Sequence, residues 1–346
     1  MDQNLIQRNS KTISINHLIL RNINEFDVIT IFGHKNPDGD CYGSQLGLKD
    51  IIQQNFPNKK VYTLGENNPI FSFLGVMNEI NDDIISQSLA IVVDCGNINV
   101  ISDVRYKIAK KIIRIDHHLI GEIYGDEQNS WIDPSFSSCS EMIYTFKEIN
   151  NLNLSIKGAL PIYIGMVTDT GHFRFDRVNY KTLQIVSDLL RYGFDAFQID
   201  TKITIQPINI LRFKGYVCSN FIAEDGLIYI KITHDIIEQF KLKFEDINGV
   251  VNIFHNIQGY PVWLFIIENK VKNYWKISIR SIGPQINHIA HQFNGGGHFR
   301  ACGMNVYNQQ EIHQVIELAK NSIKEYERQR VLNIMSSDRN DHNDKH

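Results

Sequence analysis

Val28-Ile-Thr-Ile-Phe32-Gly33-His34-Lys-Asn-Pro-Asp38-Gly-Asp40 decides how this chain is read. Its first five residues are apolar or β-branched, as in a short buried strand, and the turn formers after Phe32 end it. A helical pattern follows from Ser44 to about Gln54, with Leu46, Leu48, Ile51 and Ile52 apolar. Further strands are expected at Lys60 to Leu64, Leu89 to Val93 and Lys111 to Ile115. The last two stop abruptly at Asp94-Cys-Gly and Asp116-His117-His118. Ser138 to Ile149 reads as a serine-capped helix. Ile162 to Thr168 reads as one more strand, leading into Asp169-Thr-Gly. Strand and helix in alternation predict an α/β fold, doubly wound on a mainly parallel sheet.

In such sheets ligands bind beyond the carboxyl ends of the strands. The expected strand ends carry Asp38, Asp40, Asp94, Asp116 and Asp169 with His34, His117 and His118. Each group alone has an ordinary explanation: Asn-Pro-Asp-Gly is a common turn, and an aspartate after a strand is a common helix cap. Together they concentrate more negative charge than one rim holds without cations. Oxygen donors mixed with imidazole suit Mn²⁺, and also Mg²⁺ or Fe²⁺. The inventory is large enough for two ions, which together activate water for in-line displacement at a phosphate ester.

Composition bounds the rest. The 346 residues, about two domains, carry 35 Lys+Arg against 38 Asp+Glu, a net charge of −3. A whole-protein basic field for long nucleic acid is therefore excluded. The 5 cysteines are scattered and never in CxxC spacing, which argues for a reducing compartment. Neither a signal peptide nor an apolar run of membrane-spanning length is present, so a cytoplasmic location is expected, with no membrane partner. The expected division is a catalytic domain over 1–196, a linker over 197–216, a substrate domain over 217–330 and a polar, frayed tail over 331–346. Residues 180–215 read as helical, with Leu183, Ile185, Val186, Leu189 and Leu190 as one buried stripe.

The second half carries a local polarity. Asn269 to Gln310 holds Lys270, Lys272, Lys276, Arg280 and Arg300 and no acidic residue. Gly295-Gly296-Gly297 allows backbone N–H groups to approach an anion, and Arg280 is suited to bidentate phosphate pairing. Tyr260, Trp263 and Tyr274 are candidates for base stacking, Arg174 for a phosphate contact, and Ser137–Ser140 for an anion site at a helix start.

With these motifs the sequence resembles the DHH phosphoesterase superfamily. The resemblance rests on His34-x3-Asp38-x-Asp40, Asp94, Asp116-His117-His118 and Thr168-Asp169-Thr170-Gly171. Phe293-Asn-Gly-Gly-Gly-His298-Phe-Arg-Ala-Cys-Gly303 resembles the signature of the associated smaller α/β DHHA1 domain. Size and layout are similar to the NrnA-type subfamily. That likeness implies hydrolysis of short oligoribonucleotides and removal of the 3′-phosphate from adenosine 3′,5′-bisphosphate. It implies His34 and Asp38 at a first ion, Asp40, His117 and Asp169 at a second, and Asp94 between them. Asp116 would orient a neighbour, and His118 would face the scissile phosphate. Arg280, Gly295, Gly296, Gly297, His298 and Arg300 would contact substrate. Cys41 and Cys302 stand where alanine is common and are expected to stay clear of the ions. Chemistry on one domain with end recognition on the other would favour short substrates. Rival readings are a phosphodiesterase for cyclic or linear dinucleotides and a non-catalytic nucleotide-binding module. A homodimer stays open.

Overall fold

The computed structural model describes residues 3–118 and 124–343, and the side chain of His298 lies outside the described set. The chain divides into two units, Met1–Ile205 and Gln206–His346.

In the first unit the strands are β1 (Val28–Phe32), β2 (Lys60–Leu64), β3 (Leu89–Val93), β4 (Lys111–Asp116) and β5 (Trp131–Ile132). They form one parallel sheet in the order β2-β1-β3-β4-β5. The order reverses between β1 and β3, the crevice where doubly wound sheets bind ligands. Helices α1 (Gln3–Glu25), α2 (Gly39–Asn55), α3 (Asp82–Ser86), α4 (Cys139–Ile149), α5 (Ile156–Asp169), α6 (Tyr180–Leu190) and α7 (Ala196–Thr204) complete the unit. Every residue of β3 is buried, as expected of a central parallel strand.

Several expectations are corrected. Ile162 to Thr168 is the second half of helix α5, not a strand. Nine residues of α5, from Gly158 to Val167, are buried and that stretch is apolar on all sides, so it shows no amphipathic period to mark it as a helix. Helix α2 begins at Gly39 rather than Ser44, because Asp38 Oδ1 accepts from the N–H groups of Asp40 and Cys41 and caps it. In α6 Leu189 is buried, but Leu183 is 50% exposed, so the stripe is narrower than expected. The connecting stretch 197–216 is largely helical, in keeping with the helical reading of 180–215. It holds α7 and α8 (Ile208–Asn220), and the division between units falls inside it.

The second unit is a mixed sheet in the order β10-β11-β9-β8-β7-β6. Its strands are β6 (Ile222–Glu224), β7 (Leu227–Ile232), β8 (Val262–Asn269), β9 (Tyr274–Ser281), β10 (Gly296–His298) and β11 (Ala301–Val306). Helices α9 (His234–Gln239), α10 (Asn287–Gln292) and α11 (Gln309–Asn343) accompany it. Helix α11 runs through most of the stretch read as a frayed tail; residues 344–346 lie outside the described set. One face of the sheet packs on α10 and α11 through residues such as Ile279, Ile289 and Ile316. The other packs on α8 and the 3₁₀ segment Phe244–Phe254 through Trp263, Phe265 and Phe213. No helix among the described residues is long and apolar enough to cross a membrane.

Candidate metal centre

The site grows from three strand ends and one helix end. Past β1, His34 and Asp38 form a loop whose Nε2–Oδ1 separation is 3.6 Å. Past β3, Asp94 takes a left-handed conformation at φ 55° and is buried. Aspartate tolerates that region better than most residues. Its Oδ2 lies 3.5 Å from His34 Nε2, and its Oδ1 lies 3.5 Å from His117 Nε2 and 3.6 Å from His118 Nδ1. The two carboxylate oxygens thus face two different sets of donors.

Asp169 comes from the C-terminal end of α5 rather than from a strand, and its Oδ2 sits 3.4 Å from His117 Nε2. Glycines bring it there. Gly39, Gly43 and Gly47 recur every fourth residue along α2 and face α5. A Cβ on Gly43 would meet the Pro161 carbonyl at 2.5 Å, and one on Gly165 would run into the Ser140 hydroxyl. The two helices therefore approach closely enough for Asp40 and Asp169 to share His117. Asp40 Oδ2 is 3.8 Å from His117 Nε2. The N-terminus of α4 holds the Asp40 carboxylate, the Cys139 and Ser140 N–H groups donating to it at 2.7 and 2.8 Å. The anion gathered by Ser137–Ser140 is thus the protein's own Asp40.

Asp116 ends β4 and is fully buried. Its Oδ2 accepts from Arg114 Nη2 at 2.6 Å, and its Oδ1 accepts from His118 N at 3.1 Å with His118 Nδ1 at 2.8 Å. Arg114 is buried as well, donates to the Cys95 carbonyl and lies 4.1 Å from the Tyr124 ring centre. Arg114 went unnoticed in the sequence, although its two-residue offset from Asp116 in a strand puts both on one face.

The electrostatics follow from burial and crowding. Burial works against the Asp94 carboxylate, yet the imidazoles of His117 and His34 hold it well below the usual range. Asp40 is pushed well up by burial and by the Asp94 and Asp169 charges. Asp169 is pushed up to about 6 by burial and by Asp94 and Asp38, with His117 pulling the other way. Burial would lower His117, but Asp169 and Asp94 raise it to about 10. Carboxylates driven apart in this way are held together by protons or by cations.

Among the described residues three groups have donor atoms within 4.8 Å of one another: His34–Asp38–Asp94, Asp40–His117–Asp169 and Asp94–His117–His118. The first two, joined through Asp94, suit a pair of divalent ions. Asp94 Oδ1 is buried without a hydrogen-bond partner among the described residues, as a ligand oxygen would be. Carboxylate and imidazole donors without thiolate match hard or borderline divalent metals. Cys41 and Cys302 belong to none of the groups, and burial pushes both thiols up.

The substrate residues expected in the second unit have mixed settings. Arg280 is pushed down by burial; its Nη1 donates to the carbonyls of Ile279 and Cys302, and it makes no ion pair among the described residues. Gly295 and Gly297 serve the hairpin first, since a Cβ at either would strike the carbonyl of Gly303 or Ala301. Gly296 faces open space, and Arg300 is exposed. Trp263 is core, its Nε1 donating to the Val251 carbonyl. Tyr274 packs edge-on against Phe244. Tyr260 is half-buried at a cavity of about 390 Å³ with Pro261, Tyr326 and Arg330. Arg174 is exposed; the arginine beside the centre is Arg177, which sequence reasoning missed.

Comparison with known proteins agrees with this arrangement. The model described as DHH family, N-terminal domain, matches residues 28–166, and that of the DHHA1 domain matches residues 225–325. The bifunctional oligoribonuclease and PAP phosphatase NrnA of Bacillus subtilis (strain 168) is 33% identical over 314 residues, 89% of this chain and 99% of that protein. A probable bifunctional oligoribonuclease and PAP phosphatase NrnA of Streptococcus mutans is 35% identical over 307 residues, 88% and 98% of the two chains. The crystal structure of an exopolyphosphatase-related protein from Bacteroides fragilis superposes with a TM-score of 0.77 at 27% identity, covering 90% of this chain and 96% of that one. Metal-ligand geometry at a sheet switch point, a second unit with the glycine hairpin and near-complete alignment lead to one conclusion: this chain belongs to the DHH family, in the branch that carries a DHHA1 domain.

Proposed function

We propose that this chain is a metal-dependent phosphoesterase that hydrolyses short oligoribonucleotides to mononucleotides and removes the 3′-phosphate of adenosine 3′,5′-bisphosphate. The observation that carries the reading is Asp94, buried with one oxygen toward His34 and the other toward His117. The likeness of nearly the whole chain to proteins named for these two activities supports the substrate class. In this reading His34 and Asp38 hold one ion, Asp40, His117 and Asp169 hold the other, and Asp94 serves both. Two Mn²⁺ suit the mixed oxygen and imidazole donors best.

Divalent ions bound there supply Lewis-acid charge and lower the pKa of water. The chain's own residues do the rest. Asp116, its second oxygen neutralised by Arg114, fixes the His118 ring through Nδ1. His118 then donates through Nε2 to the phosphate as charge builds on it. Arg280, buried without an ion pair among the described residues, is the strongest candidate to take a substrate phosphate, with Gly295–Gly297, His298 and Arg300 on the β10–β11 hairpin, whose β11 pairs with its strand β9. The test is a Mn²⁺ activity panel on RNA from dinucleotides to long strands, matched DNA, the bisphosphate, pApA and cyclic di-AMP. The reading predicts turnover of short RNA and of the bisphosphate that is lost on chelation and restored by Mn²⁺. Preference for cyclic di-AMP over short RNA, or binding without product, would overturn it.

A further inference from the structure

The segment that follows Asp169 is wound unusually tightly. Gly171, His172 and Phe173 are consecutive left-handed residues, at φ 56°, 58° and 62°. Such a run persists only where its surroundings over-determine it. Here Thr170 Oγ1 accepts from Phe173 N at 3.0 Å and donates to the Met166 carbonyl. The N–H groups of Arg174 and Phe175 both donate to the Thr170 carbonyl, and that of His172 donates to the Val167 carbonyl. A Cβ on Gly171 would meet the Phe175 ring at 2.5 Å. His172 Nδ1 lies 2.9 Å from Asp200 Oδ1 and ties the loop to α7. At its far end Asn179 caps α6, whose Thr182 hydroxyl donates to Glu141 on α4.

This bracket presents two side chains to one imidazole. Asp169 Oδ2 lies 3.4 Å from His117 Nε2. On the opposite edge of the ring, Arg177 Nη1 lies 3.5 Å from Nδ1 and 3.4 Å from the His117 carbonyl, with the Phe136 carbonyl 3.4 Å from Nδ1. His117 is itself buried, and its Nε2 is the one atom shared by Asp40, Asp94 and Asp169. A small rotation of this ring would open the whole Asp40–His117–Asp169 group.

We propose that Arg177 is a positioning residue for the second ion site: in the loop 169–178 Asp169 faces His117 Nε2 and Arg177 donates to the His117 backbone carbonyl, while the ring's Nδ1–H faces the Phe136 carbonyl, and together they fix the direction of Nε2. The inference rests on the two-ion reading above. It differs from a substrate role, because its effect falls on ion affinity before any nucleotide is present. The Phe136 carbonyl is placed to accept the far N–H of the ring and Arg177 holds the backbone that carries it, and outer groups that orient a ligating imidazole commonly change metal affinity about 10–100-fold when removed.

The experiment uses the full chain, stripped of metal and titrated calorimetrically with Mn²⁺ alone. The parent is expected to bind two ions. Arg177→Met should weaken one of them about 10–100-fold and leave the other at parental affinity. Arg177→Lys, which keeps a donor and the charge, should recover part of the loss. Arg174→Met, at an exposed neighbour, should match the parent. Thermal melting of the ion-free variants accompanies each titration, and Arg177→Lys decides if Arg177→Met does not fold. Parental affinity for both ions in Arg177→Met and Arg177→Lys, or equal weakening of both, overturns the proposal. A parent that binds fewer than two ions overturns the two-ion reading itself, and this inference with it.

Discussion

Asp94→Asn separates the chemistry of the centre from its architecture. Asparagine keeps the shape of aspartate and also tolerates the left-handed backbone at φ 55°. What it removes is the one negative charge that faces His34 on one side and His117 on the other. A unit charge about 4 Å from its partner is worth roughly 4 kcal/mol at an effective dielectric of about 20. Against a divalent ion the gross figure is larger. Losing roughly 4 kcal/mol lowers kcat/KM by about 10³-fold, since each tenfold costs about 1.4 kcal/mol. The ion-free protein should lose stability as well. Asp94 helps to push up Asp40 and Asp169, but the imidazoles of His117 and His34 hold its own carboxyl well below the usual range, so its charge is net stabilising in the fold. The assay pairs dinucleotide hydrolysis at saturating Mn²⁺ with thermal melting, with and without the metal. Turnover should fall about 10³-fold. The ion-free Tm should fall, and the Mn²⁺-induced rise in Tm should shrink as well. If Asp94→Asn kept turnover within tenfold of the parent, the idea that one carboxylate serves two ions would be wrong.

Three further outcomes follow from the same geometry. His118→Ala removes a donor without touching either ligand group that contains Asp38, Asp40 or Asp169, so kcat should fall about 10²–10³-fold with Mn²⁺ affinity close to parental in a binding titration. Asp116→Asn leaves the buried Arg114 guanidinium without its carboxylate, and denaturant unfolding should show a loss of about 3–5 kcal/mol. Asp169, raised to about 6, keeps its proton below that pH, and an ion must displace it. The Mn²⁺ concentration for half-maximal activity should therefore climb as pH falls from neutral through 6, about tenfold per pH unit for each proton displaced. The same upward shift costs the ion-free chain stability as pH rises from the usual carboxylate range to about 6, because the folded state holds that proton more tightly than the unfolded chain does.

What the sequence disclosed depended on which physical signal each element carries. Strands β1, β3 and β4 are short apolar runs bounded by acidic turns, and the structure puts them where the pattern did. Helix α5 carries no such signal, because a helix enclosed on every side needs no polar face. Asp169 thus lies beside His117, but at the end of a helix where the sequence pattern predicts a strand. Arg177 had even less to mark it. Its importance comes from the winding of a loop, and three left-handed residues in succession are not written in the residue types of His172 and Phe173.

One sequence signal for α5 did exist, and it lay in its neighbour. Gly39, Gly43 and Gly47 recur at helical spacing, which costs helix stability unless something packs against the bare face. That something is α5, reached through Gly165 and Pro161. The seam has a chemical purpose that sheet topology cannot supply. In the two-ion reading, strand ends at the switch point would deliver ligands from the sheet, and the second ion would take Asp169 from the layer above it, which α5 brings to His117 by pressing against α2. Gly43→Ala tests this directly. Its methyl group would contact the Ser140 hydroxyl and lie 2.5 Å from the Pro161 carbonyl, so the helices must part. Overpacking of this kind costs about 1–3 kcal/mol. The separation falls between Asp40 and Asp169, so Mn²⁺ affinity should drop at one ion and hold at the other, where His34 and Asp38 lie on the β1 side. Equal loss at both ions, or none, would mean that the seam holds the fold together without setting the site.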